Sequence, residues 1–158
     1  MSRGDLLATI FTREIDSLLS LRSILEQEYQ ALVNADVDAI EALSSAKNLA
    51  LNAQSELTRA RQDTLTQAGL PHTPDGLQQL IARSENRESL AAAFEQLTSL
   101  AAHCHESNRS NGRLIMQKQR QASDALDILR RSEAKTPTYS SQGKTATGGQ
   151  ASCTLGKA

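Results

Sequence analysis

No tryptophan occurs in this chain of 158 residues, and phenylalanine and tyrosine together supply only 3% of it. Much of the 39% hydrophobic content is alanine and leucine instead. Those two lead the helix-propensity scale, while the β-branched and aromatic residues that favour strands are sparse. An excess of either charge is also missing: 17 Lys and Arg stand against 18 Asp and Glu, a net −1. No global field would therefore draw in nucleic acid or an anionic membrane. Cysteine is limited to Cys104 and Cys153, which make no disulfide framework and suit a reducing compartment. Long apolar runs are absent, and Glu14 and Asp16 follow closely on the short apolar groups after Met1-Ser2-Arg3-Gly4-Asp5. Neither a membrane span nor a signal peptide is expected. These absences predict a soluble, cytoplasmic, helical protein long enough for a real core.

What is present is heptad patterning. Phe11, Ile15, Leu18, Arg22, Leu25, Tyr29 and Leu32 recur at alternating steps of four and three, with Leu7 and Leu21 widening the stripe. A strand could not produce this period. Asn34-Ala35-Asp36 interrupts it, and the Asp36 carboxylate suits an N-cap. A second seam of mostly small residues follows: Ala39, Leu43, Ala46, Ala50, Ala53, Leu57 and Ala60. Small residues let two backbones approach closely, and so short a connection predicts an antiparallel hairpin. Gly69 and Pro71 then read as a helix stop, and Thr73-Pro74 as N-cap and first helical residue. A short helix carrying Leu77, Leu80 and Ile81 is expected after them.

The third seam is the longest: Leu90, Phe94, Leu97, Ala101, Cys104, Asn108, Asn111, Ile115, Lys118, Ala122, Ala125 and Leu129. A helix over about 86–132 would span roughly 70 Å, too long for a compact globule of this size, so it must project or bend. The seam turns polar at Asn108-Arg109-Ser110-Asn111-Gly112, and Gly112 costs about 1 kcal/mol against alanine inside a helix. Beyond it Leu114, Ile115, Leu126, Ile128 and Leu129 are spread around the helix with nothing evident to cover them. From Thr136 the chain is rich in Ser, Thr, Gly and Lys, with no acidic residue, and disorder is expected there. The expected architecture is all-α: an elongated three-helix, coiled-coil-like bundle over 1–134, with helices at about 4–33, 37–68, 75–83 and 86–132, and a disordered tail over 135–158.

Catalytic and ligand motifs fail on context. His103-Cys104-His105 are adjacent on a helix and point apart, so no metal is expected. Gly143-Lys144-Thr145 echoes a P-loop without its earlier glycine or its strand. Gly148-Gly149-Gln150 sits in the low-complexity tail, and the Asn108-Arg109-Ser110 sequon has no meaning without secretion. Carboxylate pairs such as Glu26/Glu28 and Glu85/Glu88 read as solvated faces. No enzyme activity, cofactor, nucleic-acid partner or membrane insertion is expected.

The order of these features resembles the FlgN family of flagellar type III export chaperones. The resemblance rests on the spacing of Glu28, Leu32, Asp36, Leu43 and Lys47, and on Asn108 to Ile115 read as N-x-x-N-G-x-L-I. Its last part is Leu126-Asp127-Ile128-Leu129, followed by Thr138-Tyr139 and Gly143. It implies a cytoplasmic chaperone that binds the hook-associated proteins FlgK and FlgL at the hook–filament junction. Such a chaperone keeps them unassembled and delivers them to the export gate and ATPase complex. Cargo capture would fall on Leu114, Ile115, Ala122, Ala125, Leu126, Ile128 and Leu129, and gate docking on Tyr139. The rival reading is a structural coiled-coil or adaptor protein that self-associates through the third helix, with Asn108 and Asn111 fixing its register.

Overall fold

A computed structural model describes residues 2–135 of the chain, as four α-helices. α1 is Arg3–Asn34, α2 Val37–Gln67, α3 Pro74–Ala82 and α4 Arg87–Lys135. Each start is set by local chemistry. Ser2 and Asp5 form a reciprocal capping box, the Ser2 Oγ accepting from Asp5 N at 3.1 Å and the Asp5 carboxylate accepting from Ser2 N at 3.0 Å. Asp36 Oδ1 accepts from Ala39 N at 3.1 Å, and Thr73 Oγ1 accepts from Gly76 N at 3.2 Å with Pro74 at the first helical position. The stops are left-handed residues: Ala35 at φ 54° ends α1, and Gly69 at φ 69° follows α2.

α1 buries a face that steps through Leu7, Phe11, Glu14, Leu18, Leu21, Leu25, Glu28 and Leu32. This corrects the expected seam in three places. Ile15 and Arg22 are half-buried and Tyr29 is exposed, while Glu14, Leu21 and Glu28 take the inward positions. Glu28 is therefore no solvated carboxylate. Burying it is tolerable because a cation and an amide donor on two other helices meet it, while Tyr29 stays at the surface.

Ion pairs give the directions of packing. Glu28 on α1 meets Lys47 on α2, and Glu14 meets Arg61, so α1 and α2 form an antiparallel hairpin. The Cys104 thiol donates to Leu18 O at 3.5 Å and Asn111 Nδ2 to Leu25 O at 2.9 Å, so α4 runs parallel to α1. α3 lies across one end of the bundle. Its Leu77, Leu80 and Ile81 join Leu7, Phe11, Leu65 and Leu90 in one apolar cluster that continues through Leu18, Leu25, Leu97 and Cys104. Phe11 and Phe94 stack at 6.0 Å between ring centroids.

α2 is the least committed of the long helices, with only Thr64 and Leu65 fully buried. Most of its small-residue seam is half-buried, but Ala53 is exposed and Gln54 takes the inward place. α4 passes through Gly112 as unbroken helix. The chain forms two compact units, Met1–Lys118 and Gln119–Ala158. In the first, α4 buries Leu90, Leu97, Leu100, Cys104 and Asn111. In the second, every residue from Gln119 to Ala134 is exposed. The expected tail, apart from Lys135 at the end of α4, lies outside the described residues, and Tyr139 with it.

Candidate protein-binding site

The residues expected to capture cargo divide between the two units. Leu114 and Ile115 are half-buried in the first. In the second, Ala122, Ala125, Leu126 and Leu129 are spaced i, i+3, i+4 and i+7, which places them on one side of the helix. Ile128 lies next to that stripe, beside Ala125 three residues earlier. Leu126 is 55% exposed, Ile128 67% and Leu129 58%. Single exposed leucines are ordinary, but three large aliphatics within four residues of one helix form a small apolar patch. Asp124, Asp127, Arg130 and Arg131 frame it with both signs of charge.

In the first unit, polar residues are buried where the three long helices meet. The Lys47 ammonium lies 2.6 Å from Glu28 Oε1. Asn111 Nδ2 donates to Glu28 Oε2 at 2.8 Å and to Leu25 O at 2.9 Å. Glu28 is 2% exposed, so these charge-assisted bonds act with little solvent screening. This knot joins α1, α2 and α4 at one level and fixes their register. Glu28, Lys47 and Asn111 are residues on which the sequence resemblance rests, and their shared role is positional. Asn111 is thus engaged with its own α1, so it is not free to fix the register of a self-associated third helix, the role the rival reading offered it. Asn108 is exposed.

About four turns away is a second polar feature, around Glu14 and Arg61, that sequence reasoning missed. A cavity of about 460 Å³ runs between α1, α2 and α4, walled by leucines, Phe94 and Cys104. Glu14, 0% exposed, lines it together with Gln54, Thr58 and Arg61. Arg61 Nε pairs with Glu14 Oε1 at 3.5 Å, and among the described residues neither carboxylate oxygen accepts a hydrogen bond of ordinary geometry, nor does Gln54 Oε1. Burial pushes the Glu14 carboxyl above the ordinary glutamate value, against the opposing pull of Arg61 and then the Thr58 hydroxyl. The only available signal in sequence was the four-and-three stepping of Glu14 with Phe11 and Leu18. Burial also raises the Cys104 thiol, with Arg22 opposing. The neighbouring His103 and His105 are exposed. Among the described residues no group of three or more His, Cys, Asp or Glu could hold a metal ion, and no helix is long and apolar enough to cross a membrane.

Fold and surfaces together define a class: an all-α bundle whose polar residues set helix register and whose exposed apolar helix surface suits protein binding. The FlgN protein family model matches residues 1–147, and the chain belongs to that family, whose members are flagellar synthesis chaperones. The chain is also similar to a crystal structure from Pseudomonas aeruginosa provisionally assigned as a flagella synthesis protein FlgN. That similarity has 26% identity and a TM-score of 0.65, covering 78% of this chain and 94% of the other. No curated protein sequence matches.

Proposed function

We propose that this flagellar export chaperone works in the cytoplasm on hook-associated proteins of the FlgK and FlgL type. It holds them unassembled and hands them to the export gate and ATPase complex. The observation that carries the reading is the exposed aliphatic stripe at the far end of α4, Ala122, Ala125, Leu126 and Leu129 with Ile128 beside it. Leu114 and Ile115 serve as cargo contacts in their own unit. An amphipathic helix of the cargo laid against the stripe would bury its own apolar face and that of α4 together. Burying three or four aliphatic side chains on each of the two faces, at about 1.5–3 kcal/mol each, gives a gross gain of roughly 9–24 kcal/mol, above the about 8 kcal/mol of micromolar binding. Association and ordering costs return the net to a reversible range, which a carrier that must release its load requires.

The test is Leu126→Ala combined with Leu129→Ala, with affinity for FlgK measured by calorimetry and helicity by circular dichroism. At least a tenfold loss of affinity is expected with helicity unchanged, because both residues are exposed and support no core. Undiminished affinity would remove the cargo site from this part of α4.

A further inference from the structure

The three long helices are not held equally. α1 is buried at intervals along its whole length, from Gly4 to Leu32. Of the described residues of α2 only Thr64 and Leu65, near its C-terminal end, are fully buried. Leu65 joins the apolar cluster with Leu77 and Leu80 of α3, so that end is anchored. Residues 37–63 are half-buried or exposed throughout, and Val37 and Leu49 lie exposed. Where this stretch faces α1 and α4, the cavity of about 460 Å³ leaves an open groove rather than an interlocked core. Side chains lining such a gap forgo part of their dispersion contacts.

What holds the stretch is largely polar. Lys47 meets Glu28 at 2.6 Å, and Arg61 meets Glu14 at 3.5 Å. The first is a close, charge-assisted bond. The second is loose, and in the same groove Gln54 Oε1 is buried without a hydrogen-bond partner. A buried acceptor left unmet favours any state in which water can reach it. α1 and α4, by contrast, are joined without α2. Phe11 stacks on Phe94, Cys104 donates to Leu18 O, and Asn111 donates to Leu25 O.

We propose that residues 37–63 form a strap, tethered at the α1–α2 turn and at Leu65, which opens as a unit while α1, α3 and α4 stay folded together. The Glu28–Lys47 pair is its latch. Parted from its neighbours, the stretch loses the packing from which helices in proteins draw most of their stability, and it unfolds locally. Opening uncovers Leu18, Leu21 and Leu25 of α1 and Leu97 of α4, which line the groove. The latch thereby sets how much apolar surface the bundle shows. The strap lies within the unit Met1–Lys118 and does not depend on the cargo assignment.

Native-state hydrogen exchange of the full chain in low urea reads the opening directly. Amides of 40–60 are expected to exchange at least about tenfold faster than those of 11–32 and 90–111, once intrinsic rates are divided out. Their dependence on urea should be shallower, because opening the strap exposes less surface than unfolding the chain. Cys104, buried on the groove beneath the strap, is a second reporter in a chain carrying Cys153→Ser. Lys47→Met leaves the buried Glu28 carboxylate without its cation, and should speed Cys104 labelling by a dye maleimide at least about tenfold. Gln54→Leu replaces the unmet acceptor with an aliphatic group and should slow it. Leu90→Val weakens the core near the starts of α1 and α4. It should lower the melting temperature yet leave Cys104 labelling within about twofold of wild type, since strap and site are independent. Equal protection and equal urea slopes over all three helices would make the bundle one cooperative unit and overturn the strap. So would Cys104 labelling that Leu90→Val accelerates in step with global unfolding. Labelling indifferent to Lys47→Met would overturn the latch.

Discussion

Glu14 makes the wild-type protein sensitive to pH in a direction that can be worked out. Its carboxyl pKa is raised in the folded state, by burial first, above the ordinary value of 4.5. Below pH 4.5 the residue is protonated whether the chain is folded or not, and it adds no penalty. As pH climbs from there to the raised value, the unfolded chain gives up the proton and the folded chain retains it. Stability is lost through that window. Glu14→Gln keeps the shape and removes the titration. The variant is expected to be more stable than wild type at pH 7, because the raised pKa means that burial outweighs the pull of Arg61 on the Glu14 charge. The gap should close as pH falls through 4.5. Urea midpoints measured from pH 4 to pH 8 check this. Asp5, whose carboxyl is held low by hydrogen bonds with Ser2, acts in the opposite direction but is common to both proteins. A gap that ignored pH would show that burial of the Glu14 charge carries no cost.

Among the helices, two glycines separate local preference from tertiary demand. At Gly112, inside α4, an added Cβ meets nothing within 4 Å. Gly112→Ala should therefore stabilise the protein by about 1 kcal/mol, the propensity difference alone. At Gly76, in the first turn of α3, a Cβ would collide with the Pro71 carbonyl oxygen. Backbone cannot step aside as a side chain can, so Gly76→Ala should cost about 1–3 kcal/mol. Thermal denaturation should give shifts of opposite sign. Asn111→Leu tests the polar knot in the same way. It strips donors from Leu25 O and Glu28 Oε2 and should cost about 1–3 kcal/mol.

Helix starts were legible in sequence because a cap is decided within three residues: Asp36 and Thr73 cap the helices that follow them. The phase of the α1 seam was not. Ile15, Arg22 and Tyr29 fit the four-and-three stepping as well as Glu14, Leu21 and Glu28 do, and counting apolar residues favours Ile15 and Tyr29. What reverses the choice lies far along the chain, in Arg61, Lys47 and Asn111. The α4 stripe could be read from its own i, i+3, i+4 spacing. The groove could not, since no single helix contains it.

At the scale of the whole molecule, the described residues separate a load-free surface from a packed frame. The core and the Glu28 knot belong to Met1–Lys118, whereas Leu126, Ile128 and Leu129 belong to the unit that begins at Gln119 and support no core. Changes to those three residues should therefore alter binding without altering the melting of the frame. If delivery uses Tyr139, as the family resemblance implies, a third function follows them in the chain, and it should be separable from cargo capture. Tyr139→Ala is expected to leave FlgK affinity within twofold of wild type, and the melting temperature unchanged. Export should fall several-fold, read as the amount of FlgK reaching the culture medium in cells that depend on the variant. The complementary variant, Leu126→Ala with Leu129→Ala, should lose affinity and export together. A Tyr139→Ala protein that binds FlgK tenfold more weakly would show that capture and delivery share one surface.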